Sequence, residues 1–261
     1  MIRLDVTPES AGWGYSGLRV VVLAAGDEYQ QATGGDEVVV VPLSGAATVT
    51  TDSDRAELTG RASVFDGPTD VVYVPIESTL TLRSEAGGRF ALATARAVKR
   101  LPFRHIPVAQ QRIELRGAGV CSRQVNNFAT TDVLDADRII ACEVLTPGGN
   151  WSSYPPHRHD DLEEIYYFEV AGGGPAYQRA DGVREVRTGE VVLIPNGWHG
   201  PSMATPGYDL YYLNVMAGPG ERAWVIEDEP EHAWIRDTWT GQAIDERLPF
   251  GTSGSEGEED R

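Results

Sequence analysis

His157 and His159 stand one residue apart in the run Pro155-Pro156-His157-Arg158-His159-Asp160-Asp161-Leu162-Glu163-Glu164. Side chains on an extended segment repeat with period two, so both imidazoles face the same way, and a carboxylate shortly afterwards can swing in from the loop or the next strand. Glu164 follows His159 with four residues between and is the preferred third ligand; Glu163, with three between, is its rival. A fourth ligand, His199, ends the run Gly189-Glu190-Val191-Val192-Leu193-Ile194-Pro195-Asn196-Gly197-Trp198-His199, an apolar strand closed by a Pro-x-Gly turn. Three imidazoles and one carboxylate suit a divalent first-row ion such as Zn, Mn or Fe and leave coordination positions open for a substrate. A lone His is more often a packed core residue than a ligand, but the chain has only 5 His and three of them fall in this pattern.

Short strands must carry these residues to one point. β-Branched and apolar runs bounded by Gly, Asp and Pro occur at 18–23, 37–41, 46–50, 63–65, 71–74, 79–83 and 90–95, and no stretch of this half sustains a helical period. Strands resume at 139–145 and 208–216, so the chain reads as all-β. Val71-Val72-Tyr73-Val74-Pro75 matches Val191-Val192-Leu193-Ile194-Pro195 at an offset of 120 residues, which carries Thr79 onto His199 and Glu37 onto His157. That repeat predicts two modules of one design, the first without metal ligands. The expected division is an N-terminal module over 1–98, a linker over 99–120, a metal-binding module over 121–245 and a disordered acidic tail over 246–261. In the linker Lys99, Arg100, Arg104, Arg112 and Arg116 are scattered with few aromatic partners, unlike a surface that stacks bases. The Trp-rich stretch from Trp224 to Trp239 is expected to pack back over the second module, with His232 structural.

At 261 residues the chain can bury one large core or two medium ones, and its formal charge of −17 disfavours nucleic acid and anionic membrane surfaces as partners. No apolar run approaches the roughly 18 residues that a spanning helix needs. The start, Met1-Ile2-Arg3-Leu4-Asp5, lacks a secretory h-region, and Cys121 and Cys142 are too few for a disulfide scaffold, so a cytoplasmic protein with two idle thiols is expected.

The His-x-His…Glu run and the Gly-x5-Pro-x-Gly…His run resemble the motif pair of the cupins, with His199 one residue closer to its turn than the usual spacing. Longer stretches carry a narrower resemblance. Pro147-Gly148-Gly149-Asn150-Trp151-Ser152-Ser153-Tyr154-Pro155-Pro156-His157-Arg158-His159, Leu162-Glu163-Glu164-Ile165-Tyr166-Tyr167 and the segment from Pro206 to Pro219 resemble the 5-deoxy-glucuronate isomerases of myo-inositol catabolism. Ala11-Gly12-Trp13 and Ser63-Val64-Phe65-Asp66-Gly67 extend the likeness to the N-terminal half. These enzymes are similar in turn to the ketol-isomerase of pectin breakdown, and both groups are bicupins. The resemblance implies two double-stranded β-helix (jelly-roll) barrels in one chain. An insertion common in the family between the His-x-His and the Leu-Glu-Glu is missing, and Phe168 and Gly200 stand where a His and a Pro are common, which implies a shorter loop over the metal.

The activity so implied converts 5-deoxy-glucuronate to 2-deoxy-5-keto-gluconate. Moving a carbonyl by one carbon removes a proton from the neighbouring carbon, and a divalent ion on the two oxygens stabilises the charge that develops. A carboxylate or phenol must carry the proton, and Glu163, Tyr166, Tyr211 or Tyr212 are the candidates. The substrate is an anion, so a guanidinium is needed for its carboxylate, and Arg179 or Arg123 could supply it. Two further classes share this ligand set: an Fe(II)-dependent dioxygenase and a non-catalytic sugar-acid binder. Barrel edges that pair between subunits predict a homo-oligomer.

Overall fold

The computed structural model describes residues 1–159 and 161–251. Val38 to Val41 are fully buried, as a β-branched run covered on both faces must be. Around them a nine-stranded sheet forms, whose main path runs Ile2–Val6, Ser16–Leu23, Gly88–Arg96, Asp36–Thr50, Val71–Val74, Arg104–Ile106. The second half builds a six-stranded sheet in the order Arg112–Arg116, Arg123–Ala129, Ile140–Thr146, Leu210–Ala217, Glu163–Val170, Val191–Ile194. A four-stranded sheet and a two-stranded ribbon complete that half.

The same strand order thus occurs twice. Asp36–Thr50 lies between Gly88–Arg96 and Val71–Val74 as Glu163–Val170 lies between Leu210–Ala217 and Val191–Ile194. Register makes the correspondence residue by residue: Val38 pairs with Val74, and Glu164 pairs with Ile194, 120 positions after Val74. Val38 therefore corresponds to Glu164, and an alkyl side chain stands where the second half has its carboxylate. The offset as read from sequence had set Glu37 against His157; across the loops of different length the register sets it against Glu163.

The two large sheets share a core. Val39, Val41 and Tyr73 from one half pack with Ile165, Tyr167, Tyr211 and Leu213 from the other. The alternate residues of the same strands, Tyr166, Phe168, Leu210 and Tyr212, face the interior of the second half. This parity decides the site described below. Polar groups in the shared core are paired: Arg61 donates to both oxygens of Glu143 (2.9 and 2.7 Å), and Arg89 to both of Glu169 (2.8 and 2.9 Å). Glu37 accepts the backbone N–H groups of Asp137, Arg138 and Ile139 at 3.0, 2.6 and 2.6 Å. Its counterpart Glu163 accepts those of Gly14, Tyr15 and Ser16 at 2.7, 2.7 and 2.9 Å. Each half so grips the entry to the other's equivalent strand.

Three expectations need correction or completion. The stretch 99–120 is not bare linker, because Arg104–Ile106 and Arg112–Arg116 each add an edge strand to the sheet of their own half. Of the tail expected from residue 246, Phe250 is anchored, its N–H donating to Gln124 Oε1 at 2.7 Å and its ring packing on the shared core. Residues 252–261 lie outside the described residues. The Trp-rich stretch does fold back: Glu227–Asp228 pairs with His157–Arg158, and a 3-10 helix follows over Ala233–Trp239. No helix among the described residues is long and apolar enough to cross a membrane.

Candidate metal centre

His157 and His199 exchange both backbone hydrogen bonds at 2.9 Å, which sets their side chains beside each other although 42 positions separate them in sequence. The chain can turn away after His199 only because Gly200 follows with φ +83°: a Cβ there would lie 1.9 Å from Ser153 O. His159 arrives from the next position on the same face of the segment as His157, and the ring centroids of the three imidazoles lie 4.5 to 5.3 Å apart. Among the described residues these three side chains form a cluster whose ligand nitrogens all fall within 4.8 Å of one another, and all three are buried.

The ring nitrogens are sorted by their partners. His157 Nδ1 lies 2.9 Å from Pro155 O, His159 Nδ1 2.7 Å from Val225 O, and His199 Nδ1 3.2 Å from Gly197 O. A carbonyl accepts only, so each Nδ1 carries the proton and each Nε2 keeps a lone pair directed at the cluster's centre, the outer-shell arrangement that orients metal-ligating imidazoles. Glu164 reaches the same centre, with Oε2 3.0 Å from His199 Nε2 and Oε1 3.9 Å from His159 Nε2. Asn214 Nδ2 donates to Oε1 at 2.7 Å and holds the carboxylate in place. Both Glu164 Oε2 and His199 Nε2 are buried without an aligned hydrogen bond, close together yet neither satisfying the other. Orphaned buried donors and acceptors are rare, and two that converge beside two further imidazole nitrogens fit a divalent cation.

Electrostatics favour the ligating forms of His157 and Glu164 and the protonated form of His199 in the metal-free site. Burial, reinforced by His199 and His159, pushes His157 down to about 3. Burial would raise Glu164, but His199 and His159 outweigh it and bring it down to about 2. Burial also works against a charged His199, and there the Glu164 carboxylate prevails and raises it.

Next to His157 opens a cavity of about 320 Å³, bordered by Ser153, Tyr166, Tyr212, Asn214 and Arg123, with Trp224 at its rim. Tyr166 stacks on Tyr212 (centroids 4.7 Å apart, planes 14°), meets His199 edge-on at 6.0 Å, and has its hydroxyl 3.1 Å from Ser153 Oγ. Burial lifts the Tyr166 hydroxyl well above the ordinary phenol range, and lifts Tyr212 to about 12. Both therefore keep their protons at neutral pH. Cys142 is also buried here and, raised by burial to about 12, stays a thiol; it and Cys121 are free.

The sequence-derived site residues do not all meet. His157, His159, Glu164 and His199 converge, and Tyr166, Tyr212 and Arg123 border the cavity. Glu163 faces the opposite way, its carboxylate occupied by the N–H groups of Gly14, Tyr15 and Ser16, because adjacent strand residues point to opposite faces. For the same reason Tyr211 lies in the shared core, donating to Glu143 at 3.0 Å. Arg179 donates to Glu229 at 3.0 Å and to Gly200 O at 3.3 Å and is not among the cavity's lining residues. His232 sits at the start of the Ala233–Trp239 helix with no side-chain cap bond. Asn214 and Ser153 were missed. Asn214 carried a signal, as the lone amide in the apolar run Tyr211-Tyr212-Leu213-Asn214-Val215-Met216.

The model of the KduI/IolB family matches residues 1–235. A 5-deoxy-glucuronate isomerase of Geobacillus kaustophilus (strain HTA426) is 40% identical over 251 residues, covering 89% of this chain and 90% of that protein. One of Bacillus subtilis (strain 168) is 36% identical over 249 residues, covering 88% and 91%. Among solved structures, an IolB-like protein from Salmonella typhimurium LT2 superposes with a TM-score of 0.85 at 34% identity over 89% of this chain and 94% of its own. A Bacillus subtilis oxalate decarboxylase superposes with a TM-score of 0.62 at 13% identity over 87% and 77%, a likeness of fold alone.

Proposed function

The chain belongs to the KduI/IolB family, and from that premise we infer that it is a sugar-acid isomerase converting 5-deoxy-glucuronate, the compound its relatives are named for, to 2-deoxy-5-keto-gluconate. The observation that carries the reading onto this chain is the buried convergence of three imidazole Nε2 atoms and one carboxylate at the edge of a cavity of sugar size. His157, His159, Glu164 and His199 would hold a divalent ion, which when bound supplies Lewis acidity to a carbonyl oxygen and its neighbouring hydroxyl.

The chain's own groups set the geometry around that ion. The three backbone carbonyls on Nδ1 and the Asn214 amide on Glu164 fix the ligating atoms before substrate arrives, so little reorganisation is needed. Tyr166, its hydroxyl beside Ser153 Oγ and its proton retained, is placed to donate to the substrate oxygen that gains negative charge as the carbonyl shifts. Tyr212 stacks beneath it and holds the ring in that orientation. Trp224 donates its indole N–H to His159 Nε2 at 3.4 Å, and the two rings lie 6.3 Å apart.

The test is turnover of 5-deoxy-glucuronate followed by NMR, with elemental analysis of the purified protein. Chelator-treated protein should lose activity and regain it with a divalent metal, and a His157→Ala, His159→Ala double variant should be inactive. Turnover persisting in that folded variant would remove the metal from the reaction. Oxygen uptake that depends on Fe(II), without isomerisation, would replace this reading by a dioxygenase.

A further inference from the structure

We propose that Arg123 seats the carboxylate of the substrate and is the residue by which this site selects a sugar acid over a neutral sugar. The proposal rests on the isomerase reading for the identity of the substrate, and on the following observations for the seat itself.

Three guanidinium groups line the cavity, those of Arg116, Arg123 and Arg236. Two are already paired: Arg116 donates to Glu114 at 2.6 and 3.0 Å, and Arg236 to Asp228 at 2.7 Å. Arg123 is different. It is only 6% exposed, and among the described residues no carboxylate lies within ion-pair distance of it. Its hydrogen bonds go to neutral acceptors, Cys121 O at 3.0 Å and Tyr154 O at 3.1 Å, and the ring of Trp239 lies 5.4 Å from its central carbon.

A buried cation without a counter-ion is among the costlier features a fold can retain. Burial, aided by the like charges of Arg116 and Arg236, pulls Arg123 down to about 10, yet leaves it charged at neutral pH. The two carbonyls and the indole lock the guanidinium plane while using only two of its five N–H groups, so the remainder of the fork is pre-organised toward the cavity. A carboxylate is the anion that matches a planar fork with two parallel hydrogen bonds.

The seat is also in the right place relative to the metal ligands. Arg123 holds Tyr154 O, and three residues later the same segment delivers His157. The cavity that Arg123 lines is also lined by Tyr212, the stacked Tyr166 and His157, and Tyr166 meets His199 edge-on. A molecule spanning this wall carries its anionic group at one end and its reacting carbonyl at the other, the polarity of an open-chain uronic acid. At about 320 Å³ the cavity has room for one such molecule and not for a polymer.

The experiment compares metal-loaded wild type, Arg123→Met and Arg123→Lys on 5-deoxy-glucuronate and on the neutral 5-deoxy aldose bearing CH2OH in place of the carboxylate. The readout is the ratio of kcat/KM for acid over neutral sugar. Arg123→Met should lower that ratio by about 100-fold, the scale of one bidentate charge-assisted contact, mostly through KM, and Arg123→Lys should recover part of it. Metal content measured on each variant checks that the site is intact. An unchanged ratio, whether both rates fall together or neither falls, overturns the proposal. Should wild type turn over neither sugar, the isomerase reading has failed, and tryptophan fluorescence titration with 5-deoxy-glucuronate then decides the seat alone: binding weakened at least about 30-fold by Arg123→Met supports it, and equal or absent binding in wild type and variant overturns it.

Discussion

Glu163 is the residue on which a chemical and an architectural reading differ most sharply, and Glu163→Gln separates them. Its Oε2 accepts two backbone N–H groups, from Tyr15 at 2.7 Å and Ser16 at 2.9 Å, and its Oε1 accepts one from Gly14 at 2.7 Å. A glutamine can keep its carbonyl on Tyr15 and Ser16, but its NH2 then faces the Gly14 N–H. Two bonds change from charged to neutral acceptors, at about 1 kcal/mol each, and one becomes a donor facing a donor, at about 2 kcal/mol. Gly14 and part of the carboxylate are reached by solvent, so the expected loss is about 2–4 kcal/mol. Urea unfolding of the metal-free protein, read by tryptophan fluorescence, should show the midpoint lowered with the slope unchanged. The variant that remains folded should keep kcat within a few-fold of wild type, since the carboxylate faces away from the cavity. Glu37→Gln, at the corresponding position of the first half, should show a loss at least as large, because Glu37 is fully buried. A change below about 0.5 kcal/mol would refute the clamp, and loss of turnover at intact stability and metal content would restore Glu163 as a proton carrier.

Arg61→Met leaves Glu143 charged in the shared core and should destabilise the protein by about 3–5 kcal/mol, measured by the same unfolding assay. Asn214→Ala frees Glu164 Oε1 and should weaken metal affinity about 10–100-fold in a chelator competition, with the fold retained by circular dichroism. In metal-free protein, His157 titrates at about 3 instead of its ordinary 6.5, so the unfolded chain takes up that proton first and stability falls as pH drops between those values. Glu164, brought to about 2 from 4.5, adds a second loss below 4.5, whereas the raised His199 contributes most at low pH and loses its contribution as pH rises through its folded value. The denaturation midpoint should therefore fall most steeply below about pH 4.5, by up to about 1.4 kcal/mol per pH unit for each proton, and a flat profile there would show that these groups are not held as described.

Local pattern sufficed for much of this protein. Period-two spacing put His157 and His159 on one face, the Pro-x-Gly turn brought His199 after an apolar strand, and the likeness of Val71–Pro75 to Val191–Pro195 pointed to a design used twice, while the same central strand order occurs in both large sheets. Those signals lie within single strands or single turns, where covalent geometry alone relates one side chain to the next. What needed the tertiary structure was every relation between strands. Tyr211 and Tyr212, like Glu163 and Glu164, are neighbours in the chain with equal claims on paper; the pairing of Glu164 with Met216 sends Tyr212 to the cavity and Tyr211 to the shared core. Arg123 reaches the cavity from a strand that ends well before His157, while Arg179, closer in sequence to His199, pairs with Glu229 outside it. Strand register and the packing of one sheet on another depend on contacts between residues far apart in the chain, and no local periodicity encodes which of two like-charged side chains ends at the cavity.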